Sequence, residues 1–302
     1  MKLVFLDALT LGDMDLSEFE NLGEVKIYQT TSKEDVIDRV QGFDVVLTNK
    51  VVIDKNVMDN SDIKMVQILA TGMNNVDLEY AKQKNIFVQN VAGYSTNSVA
   101  QLTFAFVLSF LNKINTFDSF SKTDYQNSDI FTHIIDFDEL NSKKWGIIGL
   151  GEIGKKVANI ARSFGCDVVY FSTSNKNNNQ DFKRVELEEV LGCDVISIHS
   201  PLNQNTKNLL NKNNLHLIKP NSILINVARG GVVNEKDLAD IIDNNNFFAG
   251  FDVFDGEPIS KNNPLLGCKN ILLTPHIAWA SKQARQKLIS LAYESVSKFV
   301  LS

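Results

Sequence analysis

The chain has 302 residues, of which 44% are hydrophobic and 22% charged, and its formal net charge is −6. This balance excludes a disordered or fibrous chain, and the length favours two globular domains over one. The acidic balance argues against nucleic acid or an anionic membrane as the main partner. The chain has 3 cysteines. They show no CxxC spacing, so they exclude a disulfide framework and predict a reducing, cytoplasmic location without a metal site.

In the first hundred residues, short apolar runs alternate with polar or helical segments. This is the pattern of a parallel sheet with crossover helices. An amphipathic helix is predicted over Lys33–Val40, with Thr31 or Ser32 as its N-cap. The predicted strands are Lys2–Asp7, Val25–Thr30, Asp44–Asn49, Lys64–Ala70 and Ile86–Asn90.

The most apolar stretch is Ser98–Phe117, and polar side chains interrupt it repeatedly. A membrane-spanning helix needs about 20 mostly apolar residues, so we predict a buried helix instead. This helix would link two α/β units. Its apolarity would equally suit packing against a second copy in a homodimer.

From Lys144 the alternation of strands and helices begins again. A helix is predicted over Ile153–Phe164, and Gly165 ends it. We therefore predict an α/β protein with two doubly wound parallel-sheet domains, a Rossmann dinucleotide-binding domain and a flavodoxin-like domain. The predicted strands of the second half are Trp145–Ile148, Asp167–Phe171, Asp194–His199, Ser222–Asn226, Phe248–Phe251 and Asn270–His276.

A glycine-rich turn follows the strand Trp145–Ile148 and opens the next helix. Residues 149–154 read GLGEIG and fit G-x-G-x-x-G in its required strand–turn–helix setting. The first glycine permits the turn, the second admits a pyrophosphate, and the third packs helix against strand. The predicted dinucleotide contacts here are Gly149, Gly151, Glu152, Ile153 and Gly154.

The end of the second strand departs from the dinucleotide-binding pattern. An acidic residue that binds the adenosine ribose is expected there, about 20 positions after the glycines. Ser172 occupies the position, and Lys176 follows closely. No carboxylate would repel a 2′-phosphate, and no arginine would bind one strongly. Both NAD and NADP therefore remain compatible with the sequence.

Several polar side chains follow apolar strands in the last third of the chain, where open α/β sheets place their ligands. Reduction of a 2-oxo acid needs a proton donor, a cation for the carboxylate and an anion beside the donor. His276, Arg229 and Glu257 are these three types of side chain. His199 also ends an apolar strand and is a rival candidate for the proton donor.

These motifs, taken together, resemble the D-isomer-specific 2-hydroxyacid dehydrogenases over nearly the whole chain. Within the family, residues 93–101 and 275–280 look most like glycerate dehydrogenase/hydroxypyruvate reductase. The matching segments are residues 70–77, 149–154, 226–231, 252–258 and 274–276.

The resemblance implies residue roles and a domain division. It implies that Arg229, Glu257 and His276 are catalytic and that Ala70, Thr71 and Gly72 bind the substrate carboxylate. Asp252 would hold the nicotinamide carboxamide, and the residues that would also line the cofactor are Ser172, Ser200, Pro201, Val227, Ala228 and Arg229. The substrate domain would comprise residues 1–97 and 275–302, and the cofactor domain residues 98–274.

The sequence therefore predicts an NAD(P)-dependent enzyme that reduces a small 2-oxo acid, hydroxypyruvate or glyoxylate, and forms a homodimer. Lys50, Met73 and Trp279 are candidate specificity residues, with Lys50 facing a polar substrate tail. A bulkier 2-oxo acid is the first alternative. A dinucleotide-sensing protein without enzymatic activity is the second, and retention of the three catalytic residue types argues against it.

Overall fold

The strands form two parallel sheets, one in each of two units, and the helices connect the strands. The computed structural model describes residues 1–128, 134–174, 177 and 179–302. Unit 1 consists of Met1–Ser95 and Trp279–Ser302, and unit 2 consists of Thr96–Ala278.

Unit 1 contains a five-stranded sheet in the order β2-β1-β3-β4-β5, with every neighbouring pair parallel. This is the order of flavodoxin-like sheets. Its strands are β1 (Lys2–Phe5), β2 (Glu24–Ile27), β3 (Val45–Thr48), β4 (Met65–Ile68) and β5 (Phe87–Gln89). Its helices in this part of the chain are α1 (Val36–Val40), α2 (Lys55–Asp59) and α3 (Leu78–Gln83), with 3₁₀ helices over Ala8–Leu11 and Ser17–Leu22.

All five strands predicted for unit 1 are present, although each is shorter than predicted. All four residues of β3 and of β4 are buried, which explains their continuous apolar sequences. The predicted helix over Lys33–Val40 begins only at Val36. The helix begins later than predicted because residues 32–35 form a turn, in which Ser32 Oγ accepts a hydrogen bond from Asp35 N.

Unit 2 contains a seven-stranded sheet in the order β12-β11-β10-β9-β6-β7-β8. The strand order reverses beside β6, which is the switch point where doubly wound sheets bind ligands. Its strands are β6 (Lys144–Ile148), β7 (Asp167–Phe171), β8 (Lys183–Arg184), β9 (Val195–Ile198), β10 (Ile223–Asn226), β11 (Phe248–Phe251) and β12 (Ile271–Leu273). Its helices are α4 (Thr96–Asn112), α5 (Ile114–Thr123), α6 (Glu152–Ser163), α7 (Leu187–Leu191) and α8 (Glu235–Ala239), with 3₁₀ helices over Tyr125–Asn127, Leu215–Leu217 and Pro264–Gly267.

The prediction of one buried helix over Ser98–Phe117 is wrong, because the segment forms two helices. Lys113 separates α4 from α5 in a left-handed conformation, with φ +49°. Helix α4 buries Phe104 and Val107 in the core of unit 2, whereas α5 buries no residue. Among the described helices, none is long and apolar enough to cross a membrane.

After unit 2 the chain returns to unit 1 as α9 (Lys282–Leu301), which Ser281 caps through Ala284 N. Leu288, Ala292 and Val296 of this helix pack in the same core cluster as Leu3 of β1. The observed divisions lie at Ser95 and Ala278, whereas the predicted ones lie after residues 97 and 274. Residues 275–278 stay with unit 2 partly because Ser98 Oγ donates to Ala278 O at 2.6 Å.

Candidate active site

The glycine-rich turn has the shape that a dinucleotide needs. Gly149 has φ +93°, and a Cβ there would lie 2.9 Å from Ser200 N. A Cβ on Gly154 would lie 2.3 Å from Gly149 O, so the third glycine allows helix and strand to pack closely. Beside Gly151 there is open space, and its N–H lies at the start of the 12-residue helix α6. These backbone N–H groups and the helix dipole favour a phosphate.

Other side chains around this turn also fit a bound dinucleotide. Ser200 Oγ is buried and makes no hydrogen bond with the described residues, which is costly unless a ligand or water compensates. Asn177 Nδ2 donates to Leu150 O of this turn at 2.5 Å. Ser172, the predicted ribose neighbour, is only 3% exposed. Lys176 lies outside the described residues.

Arg229 is presented by the turn after β10. The side chain of Asn226, which is 1% exposed, braces this turn: its Nδ2 donates to Arg229 O at 3.0 Å and its Oδ1 accepts from Ala228 N at 3.1 Å. Arg229 Nη1 donates to Ala228 O at 2.7 Å. Within the described chain, Arg229 forms no ion pair with a carboxylate. Its guanidinium therefore remains able to bind a substrate carboxylate.

Glu257 and His276 lie in contact, 19 residues apart in sequence. Glu257 Oε2 is 2.5 Å from His276 Nδ1, and the side chains are 30% and 22% exposed. Glu257 Oε1 also accepts a hydrogen bond from Phe254 N at 3.2 Å. Because Nδ1 contacts the carboxylate, the ring presents Nε2 as its second nitrogen. Nε2 has no hydrogen-bond partner among the residues that the structure describes.

Asp252 holds the segment that carries His276. It is fully buried and accepts hydrogen bonds from Thr274 Oγ1 at 2.6 Å and from the backbone N of Ile277 and of Ala278, both at 2.8 Å. Burial raises the pKa of Asp252, and these hydrogen bonds oppose that effect. His276 itself has φ +55°, a conformation that non-glycine residues rarely adopt. Asp252 therefore holds the backbone after the histidine directly and the chain before it through the Thr274 side chain.

His199 does not fit the rival role of proton donor. Trp145 Nε1 donates to Ser197 Oγ at 2.9 Å, and Ser197 Oγ lies 3.0 Å from His199 Nε2. Burial lowers the pKa of His199 to about 3, so the ring is neutral at physiological pH. Its Nδ1 is buried, so the ring is a poor candidate for exchanging protons with a substrate.

In unit 1, the predicted carboxylate-binding segment follows β4. Thr71 Oγ1 donates to Val91 O at 3.1 Å, and Asn90 Nδ2 donates to Thr71 O at 2.7 Å. These two bonds fix the turn. The backbone N–H groups of Thr71 and Gly72 donate no hydrogen bond to the described residues, which suits them to bind an anion.

Lys50 lies in a turn that a buried carboxylate organises. Asp7, which is 5% exposed, accepts hydrogen bonds from the backbone N of Asn49 at 2.9 Å, of Lys50 at 2.6 Å and of Val51 at 3.1 Å. The prediction assigned no role to Asp7. Its only sequence signal was its position, as an acidic residue at the end of the predicted apolar strand Lys2–Asp7.

Trp279 and a surface groove lie elsewhere in unit 1. Trp279 packs edge-on against Tyr94, with ring centroids 6.4 Å apart, and joins the unit 1 core. This is aromatic core packing. A groove of about 640 Å³ lies between β5 and the last turns of α9. It contains none of the predicted site residues, so it is not the active site.

Comparison with known proteins assigns the chain to a family. The profile described as "D-isomer specific 2-hydroxyacid dehydrogenase, NAD binding domain" matches residues 104–278. Hydroxypyruvate reductase of Blautia hydrogenotrophica is 37% identical over 99% of this chain and 97% of that protein. The chain belongs to the D-isomer-specific 2-hydroxyacid dehydrogenase family. It is therefore an NAD(P)-dependent oxidoreductase with two parallel-sheet α/β domains, as predicted.

Further relatives and solved structures are similar to this 2-hydroxyacid dehydrogenase over nearly the whole chain. Glycerate dehydrogenase of Methylorubrum extorquens is 34% identical over 99% of this chain and 96% of that protein. An acyclic imino acid reductase solved with NADPH and D-Arg superposes with a TM-score of 0.89, at 27% identity over 100% of this chain and 97% of that one. D-Lactate dehydrogenase of Aquifex aeolicus, solved with NAD and lactic acid, gives a TM-score of 0.85 at 26% identity, with coverage of 99% and 95%.

Proposed function

We propose that this dehydrogenase reduces hydroxypyruvate or glyoxylate to the corresponding 2-hydroxy acid, the D isomer where the product is chiral. The observation that carries the proposed chemistry is the 2.5 Å contact between Glu257 Oε2 and His276 Nδ1. Both substrates are small and carry a carboxylate beside the reacting carbonyl. The names of the relatives, hydroxypyruvate reductase and glycerate dehydrogenase, support the choice of substrate.

In this proposal His276 is the general acid. Its Nε2 donates a proton to the carbonyl oxygen of the 2-oxo acid, and in the reverse reaction it accepts the proton from the hydroxyl. Glu257 stabilises the protonated ring from the Nδ1 side and fixes its orientation. Asp252 keeps the left-handed backbone of His276 in place.

Arg229 binds the substrate carboxylate and polarises the carbonyl, because its planar guanidinium can donate two parallel hydrogen bonds. The backbone N–H groups of Thr71 and Gly72 bind the carboxylate as well. Lys50 contacts the polar end of the substrate, and its turn is fixed by Asp7. Ala70 belongs to the same proposed carboxylate-binding segment as Thr71 and Gly72.

The nicotinamide cofactor supplies or accepts the hydride when it is bound. Gly149, Gly151, Glu152, Ile153 and Gly154 would hold its pyrophosphate at the start of α6. Ser172 would lie beside the adenosine ribose, and Asp252 would accept a hydrogen bond from the nicotinamide carboxamide. The remaining residues assigned to the cofactor are Ser200, Pro201, Val227, Ala228 and Arg229.

A spectrophotometric panel tests the substrate assignment. NADH and NADPH are each combined with hydroxypyruvate, glyoxylate, pyruvate and two longer 2-oxo acids, and kcat/KM is measured for every pair. The proposal expects hydroxypyruvate or glyoxylate to give the highest kcat/KM. A higher value with a longer, apolar 2-oxo acid would overturn the substrate assignment and leave the family assignment intact.

We also propose that the enzyme is a homodimer whose partner covers α5 and the exposed side chains of Tyr125 and Phe137. This region exposes apolar side chains that a monomer would leave in water. Their exposed fractions are 62% for Ile114, 49% for Tyr125 and 60% for Phe137. Light scattering should give twice the chain mass of 33.8 kDa. Ile114→Lys with Phe137→Lys should give a monomer, and Leu266→Lys, at a similarly exposed residue elsewhere, should not.

The proposed location is the cytoplasm. Cys166, Cys193 and Cys268 are all free thiols, which is the state that a reducing compartment maintains. Fractionation of cells that produce the tagged protein tests this location directly.

A further inference from the structure

A buried carboxylate outside the predicted site holds the loop that carries Glu257. Glu235, the first residue of α8, is only 9% exposed. Its Oε1 accepts a hydrogen bond from Asp255 N at 2.6 Å, and its Oε2 accepts one from Asn263 Nδ2 at 2.6 Å. The two donors lie near opposite ends of residues 254–263, which we call the Glu257 loop. One side chain therefore ties both ends of this loop to α8.

The same loop contacts the turn that presents Arg229. A Cβ on Gly230 would lie 1.8 Å from Phe254 O and 2.6 Å from Asp255 N, so the two backbones touch. Phe254 N also donates to Glu257 Oε1 at 3.2 Å. The peptide between Phe254 and Asp255 thus lies against the Arg229 turn. Its own N–H, that of Asp255, donates to Glu235, and the N–H of the preceding peptide, that of Phe254, donates to Glu257.

We propose that Glu235 is a positioning residue, which holds the Glu257 loop so that Glu257 stays in contact with His276. The inference rests on the proposed acid–base role of that pair. Among the residues that the structure describes, Glu235 forms no hydrogen bond or ion pair with Glu257 or His276. It acts through the backbone at Asp255 and through Asn263.

The chemistry of the contact requires a carboxylate. Asn263 Oδ1 accepts a hydrogen bond from Leu265 N at 3.0 Å, which leaves the Asn263 amino group facing Glu235. An ionised carboxylate can accept from both Asp255 N and Asn263 Nδ2. The side chain of a glutamine at residue 235 has one oxygen and one amino group. Either Asp255 N or Asn263 Nδ2 would then face the amino group of the glutamine, which cannot accept a hydrogen bond.

The experiment compares Glu235→Gln with Asp237→Asn. Asp237 lies on the same helix and accepts from Lys212 N at 2.9 Å, so the control removes the same charge without touching the Glu257 loop. Glu235→Gln is expected to lower kcat for reduction about tenfold or more, because small misplacements of catalytic groups are costly. Its Kd for NADH, measured by fluorescence titration, should stay within about twofold of wild type. Asp237→Asn should change neither quantity.

A double-mutant cycle separates positioning from general destabilisation. If Glu235 acts through Glu257, adding Glu235→Gln to Glu257→Gln should lower kcat by less than about twofold further. A multiplicative loss would overturn the inference, and so would wild-type kcat in Glu235→Gln. If Glu257→Gln alone keeps wild-type kcat, the proposed acid–base pair is wrong, which is a different failure.

A second variant tests the same contact from its other side, in case Glu235→Gln does not fold. Asn263→Asp keeps the oxygen that accepts from Leu265 N, but it places a carboxylate opposite Glu235. Asn263 is only half-buried, so the fold should tolerate the change. The inference expects the same loss of kcat and the same lack of additivity with Glu257→Gln. Wild-type kcat in folded Asn263→Asp would overturn it.

Discussion

Replacing Gly230 with alanine tests whether the Arg229 turn and the Glu257 loop are packed together. The new Cβ would lie 1.8 Å from Phe254 O and 2.0 Å from Phe254 C. Ordinary carbon–oxygen contact needs more than about 3 Å, so the turn or the loop must move by about 1 Å or more. Neither obstacle is a flexible side chain, and the strain cannot be relieved by a change of rotamer.

The expected cost of Gly230→Ala follows from this displacement. Overpacking of this kind costs about 1–3 kcal/mol, which corresponds to a Tm lower by roughly 2–12 °C in a domain of this size. A shift of about 1 Å at the catalytic groups costs about 10²-fold in rate. We therefore expect kcat/KM for the 2-oxo acid to fall about a hundredfold, with little change in the Kd for NADH.

The assay measures kcat/KM by NADH absorbance and Tm by calorimetry for Gly230→Ala and for a control, Gly267→Ala. A Cβ on Gly267 meets no atom within 4 Å. The control should therefore keep wild-type rate and a Tm within about 2 °C. Wild-type kcat/KM and Tm in Gly230→Ala would refute the packing of turn against loop.

Three further predictions concern single side chains. Arg229→Lys keeps the charge but loses the paired hydrogen bonds of the guanidinium, so kcat/KM should fall roughly tenfold to a hundredfold with the Kd for NADH unchanged; an unaltered rate would remove Arg229 from the mechanism. Ser172→Asp should lower the NADPH/NADH ratio of kcat/KM by repelling the 2′-phosphate, and an unchanged ratio would place Ser172 away from the ribose. Because burial lowers the pKa of His199 to about 3, below pH 6.5 the unfolded chain binds a proton that the folded chain does not. As the pH is lowered from about 6.5 towards 3, His199 should therefore lower the free energy of unfolding by up to about 1.4 kcal/mol per pH unit. In urea unfolding, His199→Gln should lack this part of the pH dependence. Equal pH slopes in both proteins would contradict the buried, neutral ring.

Local sequence patterns predicted the strands and the glycine-rich turn. A continuous apolar run such as that of β3 is typical of a strand buried on both faces of a parallel sheet, and G-x-G-x-x-G between a strand and a helix is typical of a dinucleotide-binding turn. The two-residue strand β8 was missed because Lys183 and Arg184 carry no apolar pattern. The break at Lys113 was missed because lysine rarely adopts a left-handed conformation.

The supporting carboxylates could not be predicted because their contacts are distant in sequence. Glu235 bonds residues 20 and 28 positions away, and Asp7 bonds residues 42 to 44 positions away. No local pattern distinguishes these residues from solvated acids at the start of a helix or the end of a strand. The contact of Glu257 with His276 is equally distant, and it was expected from their residue types and the family resemblance.

In the proposed mechanism His276 donates the proton during reduction, and Glu257 contacts the Nδ1 atom of the same ring. Stopped-flow measurement of NADH oxidation by hydroxypyruvate in a single turnover, from pH 5 to 9, tests this claim most directly. In wild type the rate should decline as pH rises, because a histidine acid must begin protonated. In His276→Gln the rate should be about 10²–10⁴-fold lower and lose this pH dependence. Wild-type rate and pH dependence in His276→Gln would contradict the claim, most clearly if His199→Gln were inactive.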